Sequence, residues 1–125
     1  MLINLTNHPS EKWGDVQRRE AERMFGRIMD VPFPTVNAFA SEEEIAELAE
    51  MTARKVVEVF GKKDIGVLVQ GEFTLAFAVI RLLDKMGIPC YAACSDRRAV
   101  ETVDENGVNH KQVEFCFVRF RQYVL

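Results

Sequence analysis

Two periods of apolar residues, one of two and one near 3.6, divide this chain into strands and helices. The tightest pattern lies in Ile65–Gly87, IGVLVQGEFTLAFAVIRLLDKMG. Its first five residues, Ile65–Val69, are apolar and rich in β-branched side chains, which predicts a strand buried on both faces. Gln70-Gly71-Glu72-Phe73-Thr74 predicts a tight turn, and a helix follows through about Met86. Gly87 suits the position just past that helix, and Pro89 prevents its return. The helix is apolar almost all round, from Phe73 and Leu75 to Leu82 and Leu83. Such a helix needs cover on a second side, from another helix or from another subunit.

The other elements follow in order. Leu2–Thr6 predicts a first strand ending in Asn7-His8-Pro9-Ser10, with Ser10 as the N-cap of a helix from about Glu11 to Met29. Asp30-Val31-Pro32-Phe33-Pro34 predicts an extended edge segment, because two prolines suit no central strand. Ser41-Glu42-Glu43-Glu44 is a capping box, opening a helix that reaches Phe60 and stops at Gly61. Ile88–Ala93 predicts a further strand ending in a loop, Cys94-Ser95-Asp96-Arg97-Arg98. Ala99–Asp104 and Val108–Phe120 then predict a hairpin around Asn106-Gly107, a pair suited to a type I′ turn. The order βαβαβαβ plus a hairpin predicts an α/β fold. It is a single Rossmann-like three-layer domain, with a mainly parallel sheet and a C-terminal antiparallel β-hairpin.

Composition narrows the function. The 125 residues are 48% hydrophobic and 28% charged, enough for one core. A net charge of −3 argues against duplex nucleic acid held on a broad basic face. No run has the length of a membrane span, and no signal peptide is visible, so a cytoplasmic chain is expected. Cys90, Cys94 and Cys116 are odd in number and form no CxxC pair. Two of them, Cys90 and Cys94, lie on one predicted strand, roughly 13 Å apart at about 3.3 Å per residue. Reduced cysteines are expected. His8 and His110 lack ligand-like neighbours, so neither a metal nor another cofactor is expected.

In open parallel sheets, ligands sit outside the carboxyl ends of the strands. Three predicted ends carry polar residues: Asn7-His8-Pro9-Ser10, Gln70-Gly71-Glu72-Phe73-Thr74 and Ser95-Asp96-Arg97-Arg98. Each has a plain structural reading: Ser10 as a cap, Gly71 as a turn, Arg97 and Arg98 as solvated charges. Together they describe a pocket for a phosphate-bearing ligand, with Asn7, Ser10, Gln70, Gly71, Thr74, Ser95, Asp96 and Arg98 as binding residues. There is no GxxxxGK[ST] and no GxGxxG, which disfavours an NTPase or a dinucleotide dehydrogenase.

INLTNHPS, GEFTLAFAVIRLL, CSDR and FVRFRQY, spread over the whole chain, resemble a family of small stand-alone CRISPR-associated proteins. That family is related in plan to CARF (CRISPR-associated Rossmann fold) domains and to small ring nucleases. The resemblance implies a homodimer that binds cyclic oligoadenylate across its interface. Some relatives degrade that second messenger. On this reading the ribose 2′-OH attacks the adjacent phosphate without a metal and leaves a 2′,3′-cyclic phosphate. Arg97 and the Gly71–Thr74 amides would stabilise the phosphorane, and His8 or Glu72 would move the proton. Two other classes stay open: a sensor that binds without cutting, and a dimeric interaction protein.

Overall fold

A computed structural model describes residues 1–125. Its five strands are β1 (Leu2–Thr6), β2 (Ile28–Pro32), β3 (Gly66–Val69), β4 (Cys90–Val103) and β5 (Asn109–Gln122). Three helices join them: α1 (Asp15–Phe25), α2 (Glu42–Phe60) and α3 (Phe73–Lys85). The chain is α/β, with one mixed sheet in the order β2-β1-β3-β4-β5. All neighbours are parallel except β4 and β5, which pair antiparallel.

The sheet has an apolar layer on each face. Ile3, Leu5, Val67 and Val69 pack with residues of α2 and α3 in the larger core. Leu2 and Leu68 point the other way and pack with Trp13, Ala21 and Phe120, placing α1 on that face. This alternation is the period-two rule applied to strands buried on both sides. Aromatic rings close the α1 side: Phe25 meets Tyr91 edge-on at 5.1 Å, and Phe117 lies 4.9 Å from Phe120.

α2 follows the expected capping chemistry. The Ser41 hydroxyl accepts from the Glu44 N–H while the Glu44 carboxylate accepts from the Ser41 N–H. α3 is covered on its second side by α2, within the same chain. Only Phe73 and Phe77 remain outside, 89% and 59% exposed, with Arg81 over the Phe77 ring. The demand for a second subunit on α3 is therefore largely met internally.

Four expected elements differ. The first helix begins at Asp15, after a 3-10 turn at Ser10–Lys12, and ends at Gly26, whose φ of 84° breaks it. Residues Ile28 and Met29, read from sequence as helical, instead begin the edge strand β2. The expected loop Cys94–Arg98 is continuous strand, so the fourth strand and the hairpin's first arm are one element. Nothing in those five polar residues prevents pairing once β5 supplies a partner. At the hairpin tip only Gly107 has positive φ, not Asn106, so the turn is not type I′. The Gly107 N–H bonds the Asp104 carbonyl and the Asp104 N–H bonds the Val108 carbonyl, a three-residue loop with glycine in the left-handed position.

Candidate functional site

The strand order reverses direction between β1 and β3: from β1 the chain winds outward to β2, and from β3 it winds outward to β4. Ligand crevices form at such a reversal, outside the carboxyl ends of the strands. A cleft of about 930 Å³ opens there. Its floor is Thr6 and Leu68; one wall is the α1 N-terminus, Gly14–Gln17, and the other is the aromatic pair Phe115 and Phe117.

The β1–α1 loop is held from below by a polar network. Asn4 is buried within β1, beside Asp30 of β2 in the register. Its amide donates to the His8 carbonyl at 2.9 Å and to Asp30 Oδ1 at 2.8 Å. The Trp13 indole N–H donates to the same carbonyl at 3.1 Å. The Ser10 hydroxyl donates to Asp30 Oδ2 and its N–H to Oδ1, and Arg18 donates to the Ser10 carbonyl. Burial pushes the Asp30 carboxyl up, but the bonds from Asn4 and Ser10, with Arg18 nearby, outweigh it and hold it below the usual carboxylate range. With its backbone clamped this way, the loop presents Asn7 and His8 to the cleft, where neither side chain has a partner within the chain.

α1 starts bare. Its N-cap is Gly14, which offers no side-chain oxygen, and the first helical bond runs from the Arg18 N–H to the Gly14 carbonyl. The amides of Asp15, Val16 and Gln17 thus open at the cleft without intrahelical partners. α3 starts differently. The Glu72 carboxylate accepts from the Thr74 and Leu75 amides and from the Thr74 hydroxyl, 2.7–3.0 Å away. The Thr74 hydroxyl and those amides hold it below the usual carboxylate range.

The expected residues are therefore divided. Asn7, His8, Gln70, Gly71 and Ser95 line the cleft together. Ser10 caps no helix; it is tied to Asp30. Glu72 and Thr74 satisfy each other, and Glu72 also takes up the Thr74 and Leu75 amides, so those two amides are not open to an anion. Asp96 and Arg98 pair on the strand β4 at 3.3 Å, and Arg97 projects from that strand beyond the cleft-lining residues. Gln70 lines the cleft but is partly committed, because its amide bridges the Ala93 backbone where β3 has ended. Gly71 is demanded by packing: a Cβ there would lie 2.4 Å from the Phe33 ring.

A family model matches residues 1–121. The chain belongs to the family described as the uncharacterized protein MJ1673 family. No curated protein and no solved structure matches the chain. In this MJ1673-family chain the sequence reading missed the α1 N-terminus, Trp13 and the Phe115–Phe117 wall. One signal was present: Gly14 before Asp15 marks a helix start without a side-chain cap. The aromatic wall was hidden because FCFVRF reads equally well as buried strand.

No helix is long and apolar enough to cross a membrane. No three His, Cys, Asp or Glu side chains gather as a metal-holding group. Burial, with Asp84 nearby, pushes the Cys90 thiol up to about 12, which removes it as a nucleophile at neutral pH.

Proposed function

We propose that the cleft binds a nucleotide of the cyclic oligoadenylate class. The carrying observation is the uncapped α1 N-terminus opening beside an aromatic wall at the reversal of strand order. Free amides at a helix start favour a phosphate. Phe115 and Phe117 offer faces on which a base stacks, each stack being worth about 1–3 kcal/mol. The order β2-β1-β3-β4-β5 supports a Rossmann-like reading of the α/β architecture, with β5 as its antiparallel edge. Asp15 is the single carboxylate lining the cleft; Arg19 stands 4.0 Å from it. The cyclic oligoadenylate assignment itself rests on the sequence resemblance to the CARF and ring-nuclease proteins.

A second reading, cleavage of the bound ring, is favoured by His8. Its imidazole stands at the cleft free of partners, where it can take the 2′-OH proton as that oxygen attacks phosphorus. The P–O5′ bond breaks, the 5′ oxygen takes up a proton, and a linear product with a 2′,3′-cyclic phosphate remains. Glu72 is a poor base, because its carboxylate is bound into the α3 cap.

Labelled cyclic oligoadenylates of several ring sizes, incubated with the protein and then separated by chromatography, test both readings. Retention of intact ligand supports binding alone, and linear product supports the nuclease. If His8 is the base, His8→Ala slows cleavage by about 10²–10⁴ while affinity stays within a few-fold. No retention and no product for any ring size overturns the proposal.

A further inference from the structure

β4 pairs with β3 only through Cys90 and Tyr91, yet continues to Val103. Beyond Ser95 the β4–β5 pair is a two-stranded arm with no third strand. Such ribbons are marginally stable alone in water. The arm is two-faced. Register and alternation put Arg97, Ala99, Glu101 and Val103 on one face with their partners Phe115, Val113, Lys111 and Asn109. Asp96, Arg98, Thr102, His110, Gln112 and Glu114 lie on the other face, which is more polar and whose apolar members, Val100 and Cys116, are half-buried. The first face holds open apolar side chains on both sides of the Glu101–Lys111 pair: Phe115 is 72% exposed, Val103 67% and Val113 48%. It is also continuous with the cleft, since Ser95, Phe115 and Phe117 line both.

We infer that this face packs against the same face of a second copy of the chain, arms antiparallel, about a two-fold axis through the Ala99–Val113 pair. The register carries the argument. Under that operation a position two residues before the axis meets the position two residues after it. Arg97 then faces the partner's Glu101, and Glu101 faces the partner's Arg97. On β5, Phe115 faces the partner's Lys111, a cation over an aromatic ring. The small Ala99 and Val113 meet their own copies at the axis, where sheets stack about 10 Å apart. Within one chain Glu101 has only Lys111, at 3.8 Å and largely exposed, so its carboxylate is available.

The same operation carries the arm tip to the other copy's cleft. The partner's Val103 lies over Ser95 and the partner's Asn109 over Phe117, and both covered residues line the cleft. Each site is therefore roofed by the opposite arm. This roofing rests on the ligand reading above; the pairing of the arms does not.

Sedimentation equilibrium of the full chain without ligand, at micromolar concentration, tests the pairing. The expected mass is twice the chain's 14.3 kDa. Arg97→Glu alone and Glu101→Arg alone each create two like-charge contacts and weaken association by roughly tenfold or more. The double variant Arg97→Glu with Glu101→Arg restores it to within a few-fold. Circular dichroism confirms that each variant is folded. Val113→Asp, which brings two carboxylates together at the axis, provides an independent disruption. A wild-type mass of one chain overturns the inference, as does a double variant no better than the singles. A monomer that still retains cyclic oligoadenylate overturns the arm pairing and leaves the ligand reading standing. A dimer that retains none does the reverse.

Discussion

Asn4 is the point where the sheet controls the loop that carries His8. It is 1% exposed in the centre of a parallel strand, and three hydrogen bonds pass through its amide. In Asn4→Ala two of the losses are cushioned. The His8 carbonyl keeps the Trp13 indole, and the Thr6 hydroxyl, 3.2 Å from that carbonyl, redirects to it. The bond to Asp30 is not replaced. A hydrogen bond to a charged group contributes about 1.5–3 kcal/mol and a neutral one about 1. Asp30 is desolvated only in part and lies open on its other side, so the lower end applies, and the total loss is about 2 kcal/mol. Asn4→Asp goes further by setting a buried carboxylate against Asp30, at the place where the amide now donates over 2.8 Å.

The two variants differ in their pH dependence. In the wild type the folded Asp30 carboxyl is depressed, so its stabilisation is present above the ordinary aspartate value near 3.9. It is lost as pH falls through the folded value. In Asn4→Asp the new carboxyl is raised in the folded state, so its penalty is full at neutral pH. That penalty disappears as acid protonates the group. The stability gap between wild type and Asn4→Asp therefore narrows on acidification from pH 7 towards 4. Urea unfolding of the three proteins at several pH values measures this, with midpoints read at constant slope. An Asn4→Ala cost below about 0.5 kcal/mol, or a gap that widens in acid, refutes the role given to this network.

Other outcomes follow from the same geometry. Gly71→Ala pushes a methyl into the buried Phe33 ring and is expected to cost about 1–3 kcal/mol in a denaturant titration, although the position is itself exposed. Native-state labelling with a thiol reagent, read by mass spectrometry, is expected to modify Cys94 and Cys116 and to reach Cys90 only on unfolding. Glu72→Ala is expected to lower the melting temperature by loosening the α3 start, while ligand affinity in the chromatographic assay stays at the wild-type level.

The sequence made α2, β3 and α3 legible because their signals are local. A capping box, a β-branched run and Gly87 past a helix each act within a few residues. What it hid depended on partners distant in the chain. Ser10 looked like an N-cap because nothing nearby announced Asp30, twenty residues on, as its partner. Ser95–Arg98 looked like a loop because polar residues mark loops locally, whereas β5 turns them into strand. Glu72 looked available because sequence does not reveal which way a carboxylate beside a helix start will fold back. The site was half visible for the same reason. Strand ends announced Asn7, His8, Gln70 and Gly71, but the aromatic wall arrives from the last strand, more than forty residues later.

The most direct measurement is amide chemical-shift mapping of the full chain titrated with cyclic oligoadenylate. The account predicts the largest shifts at Asp15, Val16 and Gln17, whose N–H groups face the phosphate, with a second set at Phe115–Phe117 from ring stacking. Thr74 and Leu75, already bonded to Glu72, stay nearly still. Shifts centred on Thr74 and Leu75, with Asp15–Gln17 unmoved, would contradict it.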